Sequence, residues 1–262
     1  MRPVTNLTQY EEFARAAMEP AAFDYIAGGA GAELTLRENA AAFERRRLRP
    51  RVLVDVAEID TSTSILGDTS AMPVGLAPAA LQAVVHADGE LASARAAASS
   101  GLVFCLSTLS SRSLEEVAEV ARGVRWFQLY VHKDRAVSRQ LVQRAEAAGY
   151  KAIVLTVDLP ITGYRERDLT SRFSVSAEAY GNLDAPPIAD GELLATVSQL
   201  NDQSLSWKDI EWLRGVTTLP IVIKGVLRAD DADLAVKSGA AAVVVSNHGG
   251  RQLDRAMASL DA

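Results

Sequence analysis

From residue 72 onward, short apolar runs alternate with longer alanine-rich stretches, and this alternation constrains the fold more than any other feature of the chain. The runs are MPVGLAP (72–78), LVFCLS (102–107), WFQLYV (126–131), AIVLTVD (152–158), PIVIKG (220–225) and AAVVVS (241–246). They are rich in Val, Ile and Leu and do not alternate apolar with polar, which suits parallel strands covered on both faces. Between them the periodicity predicts helices over 89–99, 113–121, 134–148, 206–214 and 228–238. Strand and helix in turn make the βα repeat of an α/β fold.

The ends of the runs separate an open sheet from a barrel. Each C-terminal end carries something polar or backbone-special: Pro78-Ala79, Ser107, Gln128 and Tyr130, Thr156 and Asp158, Lys224, then Asn247 and His248. A (β/α)8 barrel aims functional groups from every strand at one mouth, whereas a doubly wound sheet uses its switch point. The reading is therefore a (β/α)8 TIM barrel over residues 71–262. Only six strands are found, and two more βα units would take roughly 60–100 residues. The sequence thus reads as a barrel that stops after strand 6. The connection between Asp158 and Pro220 is long, and its polar stretch 174–203 is expected to be a mobile active-site loop.

Ahead of the barrel, residues 1–70 read as an N-terminal helical extension that covers the barrel bottom. Leu7, Tyr10, Phe13, Ala14 and Ala17 share one helical face, and Pro20 opens a second helix carrying Phe23, Tyr25 and Ile26. GGAGAE (28–33) has neither a preceding strand nor the glycine spacing of a dinucleotide fingerprint. It is expected to stop a helix and turn the chain.

Composition excludes several function classes. The net charge of −6 gives no basic surface for a nucleic acid. The one cysteine, Cys105, lies in an apolar run and reads as a buried core thiol in a reducing compartment. No stretch has the ~18 consecutive apolar residues of a membrane span, and the first residues lack the apolar core of a signal peptide. A cytoplasmic protein with no membrane or nucleic-acid partner is expected. No HxH, HExxH or Cys/His cluster appears, so no metal site is expected.

The chemistry concentrates at the strand ends. His248 follows a buried run, between Asn247 and the pair Gly249-Gly250, whose glycines would let backbone pass close to a ligand. It reads as a catalytic base. Asp158 suits either of two roles, the carboxylate that steadies the imidazolium or a cap for the loop before Pro160. The stretch GYRERD (163–168) and Arg251 each bring arginine just beyond a different strand end, which suits a clamp on a substrate carboxylate. Lys224, ending an apolar run, would be a fixed cation beside developing negative charge. Together these suit proton abstraction from, or oxidation of, a small carboxylate.

The stretches FDYIAGGAGAELTLREN, LAPAALQ, LSTLSSRSLEEVA, FQLYVHKDR, LTVDLP, GYRERDL, IVIKGV and SNHGGRQLD resemble the FMN-dependent L-2-hydroxy acid oxidase/dehydrogenase family. The resemblance covers essentially the whole chain. It implies an FMN-binding (β/α)8 barrel that oxidises an (S)-2-hydroxy acid to a 2-oxo acid. It makes His248 the base, Asp158 its carboxylate partner, and Arg165, Arg251 and Tyr25 the carboxylate contacts. Tyr130 would meet the substrate hydroxyl or carboxylate. Pro78, Ala79, Ser107, Gln128, Thr156 and Lys224 would contact the flavin. Oxygen would accept the electrons in an oxidase, and a quinone or cytochrome in a dehydrogenase. Leu109 stands where glycolate oxidases often carry a bulky aromatic, and GYRERD resembles mandelate-type members. Both imply an aryl substrate, mandelate or 4-hydroxymandelate. The resemblance further implies a homo-oligomer, a tetramer. The family's phosphate-binding motifs are absent, which implies weak FMN binding, or an inactive fragment, unless more sequence follows.

Overall fold

The computed structural model describes residues 4–176, 179–183 and 199–262. Three helices come first: α1 (Gln9–Ala17), α2 (Pro20–Ala27) and α3 (Leu34–Glu44). Pro20 sits in the first turn of α2, where its missing N–H costs no hydrogen bond. Gly28 ends that helix, donating to Asp24 O at 2.8 Å. The N-terminus of α3 is capped from far away, since Thr35 N donates to Asp254 Oδ1 at 2.9 Å.

Beyond Glu44 the chain continues without helix or strand to a hairpin, β1 (Thr63–Ile65) and β2 (Asp68–Ser70). The sequence reading had no β element here. Leu66 and Gly67 form its two-residue turn with φ of 51° and 88°, as a primed turn demands. A leucine in that position hides the turn from a search for Asn-Gly or Asp-Gly.

The six apolar runs become one six-stranded parallel sheet, in sequence order. Its strands are β3 (Gly75–Leu76), β4 (Val103–Ser107), β5 (Arg125–Leu129), β6 (Ala152–Thr156), β7 (Ile221–Val226) and β8 (Ala242–Val245). The connecting helices are α4 (Glu90–Ser99), α5 (Leu114–Val120), α6 (Arg135–Ala147), α7 (Glu166–Ser171), α8 (Lys208–Arg214) and α9 (Ala229–Lys237). Six parallel strands in sequential order, with helices between them, match the first six units of a (β/α)8 barrel. β3 shrinks to two residues because Pro73 and Pro78 have no N–H for a ladder.

Register sorts the side chains onto two faces. Phe104, Leu106, Phe127, Leu129, Ile153, Leu155, Ile221 and Ile223 are fully buried against the helices. Each such side chain contributes about 1.5–3 kcal/mol of burial. The opposite face carries Cys105, Ala152, Val154 and Val222, with Trp126 of β5 and Leu66 of the hairpin packed against them. Helix starts follow local rules: Ser113 and Glu116 form a capping box on α5, and Asp134 caps α6.

Most of the loop expected over 174–203 lies outside the described residues. Its described parts are tied down. Gly181 N donates to Ser110 O at 2.9 Å, and residues 200–202 pair with the exit of β5 through Lys133 N to Leu200 O and Asp202 N to Val131 O. No helix among the described residues is long and apolar enough to cross a membrane.

Candidate active site

The strand ends bring the candidate residues to one mouth. On β4 and β5, Ser107 and Gln128 are register partners, and Ser107 Oγ donates to Gln128 Oε1 at 3.2 Å. Thr108 N donates to the same oxygen at 3.3 Å. That fixes the amide orientation and leaves Gln128 Nε2 buried without a partner. On β6 and β7, Thr156 and Lys224 are register partners. Thr156 Oγ1 is likewise buried and unpartnered. Burial holds the Lys224 ammonium below its ordinary range, while the Asp158 carboxylate pulls it back up.

The loop after β8 presents His248. Ser246 Oγ accepts from His248 N at 3.0 Å, and Asn247 Oδ1 accepts from Gly250 N at 3.0 Å. Between them His248 is held at φ 60°, a left-handed conformation that costs a non-glycine residue about 1–2 kcal/mol. Its Nδ1 lies 2.8 Å from Asp158 Oδ1, and its Nε2 lies 3.3 Å from the Tyr130 hydroxyl. A carboxylate accepts, so Nδ1 carries the proton and Nε2 offers its lone pair to Tyr130 O–H. Burial is the largest influence on the imidazole and lowers its pKa, as do Lys224 and Arg165, against the opposing pull of Asp158. His248 is therefore neutral at neutral pH, the form a base requires. The Tyr130 phenol is pushed up by burial and by the Asp158 charge, and it stays protonated.

Two arginines complete the mouth. Arg165 is buried, donates through Nε to Arg251 O at 3.2 Å, and stands 3.5 Å from Asp168. Arg251 donates to Gly28 O at 2.7 Å and to Ile26 O at 3.3 Å. Its guanidinium lies 5.2 Å from the centre of the Tyr25 ring. Burial, and then the Arg165 charge, depress the Arg251 pKa. Two cations so close and so poorly solvated favour an anion between them.

These groups surround a cavity of about 340 Å³. Tyr25, Pro78, Ala79, Ser107, Tyr130, Arg165, Lys224, His248 and Arg251 line it. Gln128, Thr156 and Asp158 do not: the first is bonded to Ser107, the second sits beside Lys224, and the third is bonded to His248. Of the glycines after His248, Gly249 lines the cavity, as expected of close approach to a ligand. Gly250 does not. A Cβ there, at φ 74°, would lie 2.5 Å from Leu36 N, so this glycine admits helix α3 instead.

Two positioning residues escaped the sequence reading. Gly225 (φ 114°) sits in a register shift between Lys224 and Val226, and a Cβ there would lie 2.6 Å from Asp158 Cβ. A glycine inside an apolar strand was the available signal. Gln252 Nε2 donates to Asp158 O and Ile161 O, both at 3.0 Å, and its Oε1 accepts from Gly163 N at 3.2 Å. Nothing in the local sequence marks Gln252, because its partners lie some 90 residues away.

The unpartnered donors Gln128 Nε2 and Thr156 Oγ1, beside buried Lys224, suit a flat heterocycle edged with carbonyl and ring-nitrogen acceptors, as FMN is. Residues 14–262 match the model of the FMN-dependent dehydrogenase family. An L-lactate oxidase from Nostoc sp. is 52% identical over 269 residues, covering 98% of this chain and 74% of that protein. Glycolate oxidase 1 of Zea mays is 48% identical over 269 residues, covering 100% and 73%. A structure of mandelate oxidase with (S)-4-hydroxymandelic acid superposes with a TM-score of 0.93 at 40% identity, covering 98% of this chain and 74% of that one. On this cavity and these likenesses the chain belongs to the FMN-dependent dehydrogenase family, as an oxidase-type enzyme whose cofactor is FMN.

Proposed function

We propose that the chain oxidises an (S)-2-hydroxy acid with an aryl side group, mandelate or 4-hydroxymandelate, to the 2-oxo acid, with oxygen reduced to hydrogen peroxide. The carrying observation is the Asp158–His248 pair beside one cavity with two arginines, Arg165 buried and Arg251 partly buried. Arg165, Arg251 and Tyr25 take the substrate carboxylate. That anchors the α-carbon and its hydroxyl near His248 Nε2, which takes the proton. Asp158 then stabilises the imidazolium. Tyr130, bonded to Nε2 in the free site, is in reach of the substrate hydroxyl or carboxylate. Pro78, Ala79, Ser107, Gln128, Thr156 and Lys224 would hold FMN, which supplies the two-electron acceptor. Lys224 keeps a positive charge on that side of the cavity.

The aryl preference is supported by the apolar wall of Leu81, Leu109 and Leu159, where Leu109 leaves space. A short aliphatic acid is the second reading, favoured by the 52% identity to an L-lactate oxidase. Family resemblance also supports a tetramer, which sedimentation would test. Anaerobic mixing of the FMN-loaded protein with (S)-mandelate should bleach the flavin absorbance, and air should restore it with release of peroxide. Bleaching by (S)-lactate but not (S)-mandelate selects the second reading. Fast recovery with a quinone but not with air makes the protein a dehydrogenase, and no bleaching by either acid overturns the proposal.

A further inference from the structure

Three tyrosines line the cavity. Tyr25 lies under Arg251, and Tyr130 is bonded to His248. Tyr180 is the third. It is only 6% exposed and packs with Tyr25, Tyr130, Leu81, Leu159 and Phe173, and Leu109 borders the same cluster. Its hydroxyl is buried and has no hydrogen-bond partner. A buried phenol nearly always finds a partner, because leaving it bare forfeits the hydrogen bonds it made to water.

The segment carrying Tyr180 is firmly docked. Gly181 N donates to Ser110 O at 2.9 Å, and a Cβ on Gly181 would lie 2.3 Å from Arg112 C, so only glycine fits. Asn182 Oδ1 accepts from Leu114 N at 2.8 Å, and Asn182 Nδ2 donates to Ser110 Oγ at 2.8 Å. Arg144 donates to Asn182 O at 3.1 Å. Four hydrogen bonds therefore hold Tyr180 where its hydroxyl goes unsatisfied. That cost is understandable if a ligand meets it.

We infer that Tyr180 is a specificity-determining residue whose hydroxyl bonds a polar group on the substrate's side group, and that the preferred substrates are ring-hydroxylated aryl 2-hydroxy acids. The inference rests on the proposed oxidation of an aryl acid in this cavity. The arginines and Tyr25 account for the carboxylate, and His248 and Tyr130 for the 2-hydroxyl. The wall formed by Leu81, Leu109 and Leu159 accepts an apolar ring but offers it no polar contact. Tyr180 brings to that wall a phenol whose hydroxyl is fully buried and unbonded, and a hydroxyl on the ring supplies it with a partner.

The test compares (S)-4-hydroxymandelate with (S)-mandelate in the FMN-loaded protein and in Tyr180→Phe. The native protein should favour the hydroxylated acid in kcat/KM by about tenfold, the worth of one hydrogen bond to a buried group. Tyr180→Phe should bring the ratio near one. A loss of folding or of FMN would lower both rates and leave the ratio alone, so the ratio reads the contact itself. An equal ratio in the two proteins, or a native preference for (S)-mandelate, overturns the role of Tyr180 while leaving the oxidation intact. No reduction by either acid removes both readings together.

Discussion

Asp158 and Gly225 face each other where β6 and β7 exit the sheet, so closely that a Cβ on residue 225 would lie 2.6 Å from Asp158 Cβ and Cγ. The carboxylate that orients His248 is thus seated in a space that only glycine leaves open. Gly225→Ala should push Asp158 aside, and the φ of 114° adds strain for any side chain. Misplacing an orienting group by about 1 Å costs on the order of 100-fold in rate. Stopped-flow reduction of the bound flavin should show that loss. A native rate in Gly225→Ala would mean that Asp158 does not need this seat.

The imidazole gives a second prediction. Burial, Lys224 and Arg165 lower the His248 pKa against the pull of Asp158. In the proposed reaction His248 acts as base only when unprotonated. The rate should therefore hold steady above pH 6.5 and fall as pH drops through a pKa below the ordinary histidine value. Asp158→Asn removes an influence that raises the pKa, so the acid limb should move to still lower pH. The plateau should drop by about 10²–10⁴-fold, because the imidazolium loses its stabilising charge and Nδ1 its obligate, charged acceptor. A pH–rate profile of flavin reduction reads both effects, and an acid limb displaced upward in Asp158→Asn would contradict the assignment.

The arginines separate binding from chemistry. Arg251→Lys keeps a charge but loses the planar fork and the contact over Tyr25. One charge-assisted bond to a carboxylate is worth about 1.5–3 kcal/mol, so KM should rise roughly 10–100-fold while kcat changes less. Arg165→Met differs, because it strands the buried Asp168 carboxylate. Its cost of about 3–5 kcal/mol should appear in urea unfolding as well as in KM. Equal unfolding midpoints for Arg165→Met and the native protein would rule out that coupling.

How much of this was legible in the sequence depends on the range of the interaction. The β4–β8 strands were legible because Val, Ile and Leu in unbroken runs can only be covered on two faces. The mouth was legible because Ser107, Gln128, Thr156, Lys224 and His248 interrupt those runs at equivalent ends. The hairpin was not, since Leu66 occupies a positive-φ position that local rules give to Asn, Asp or Gly. Asp158 stayed ambiguous for a similar reason. Residue type alone left it between the partner of a base and the cap of a loop; the family resemblance implies the partner, and its 2.8 Å contact with a residue 90 positions away favours the same role.

Gln252 shows the same long-range logic and gives the last prediction. Its amide joins the loop after β8 to the loop after β6, donating to Asp158 O and Ile161 O and accepting from Gly163 N. That second loop carries Asp158 at one end and leads to Arg165 at the other. Gln252 therefore positions both the partner of the proposed base and one arm of the proposed carboxylate clamp, without touching either side chain's functional atoms. Gln252→Glu keeps an acceptor for Gly163 N but turns a carboxylate toward two carbonyl oxygens. It should be worse than Gln252→Ala, which merely lets water reach the freed groups. A structural loss alone would lower the unfolding midpoint of both variants and reduce apparent kcat through fewer folded molecules, with KM unchanged. A positioning role predicts that kcat falls and KM rises together, by about tenfold or more for the glutamate variant, and that neutral pH aggravates the defect relative to pH 4, where the introduced carboxyl is partly protonated. Steady-state kinetics of Gln252→Glu and Gln252→Ala, paired with flavin-reduction rates, distinguish the two. Unchanged kcat and KM in both variants would leave Gln252 with no part in the site.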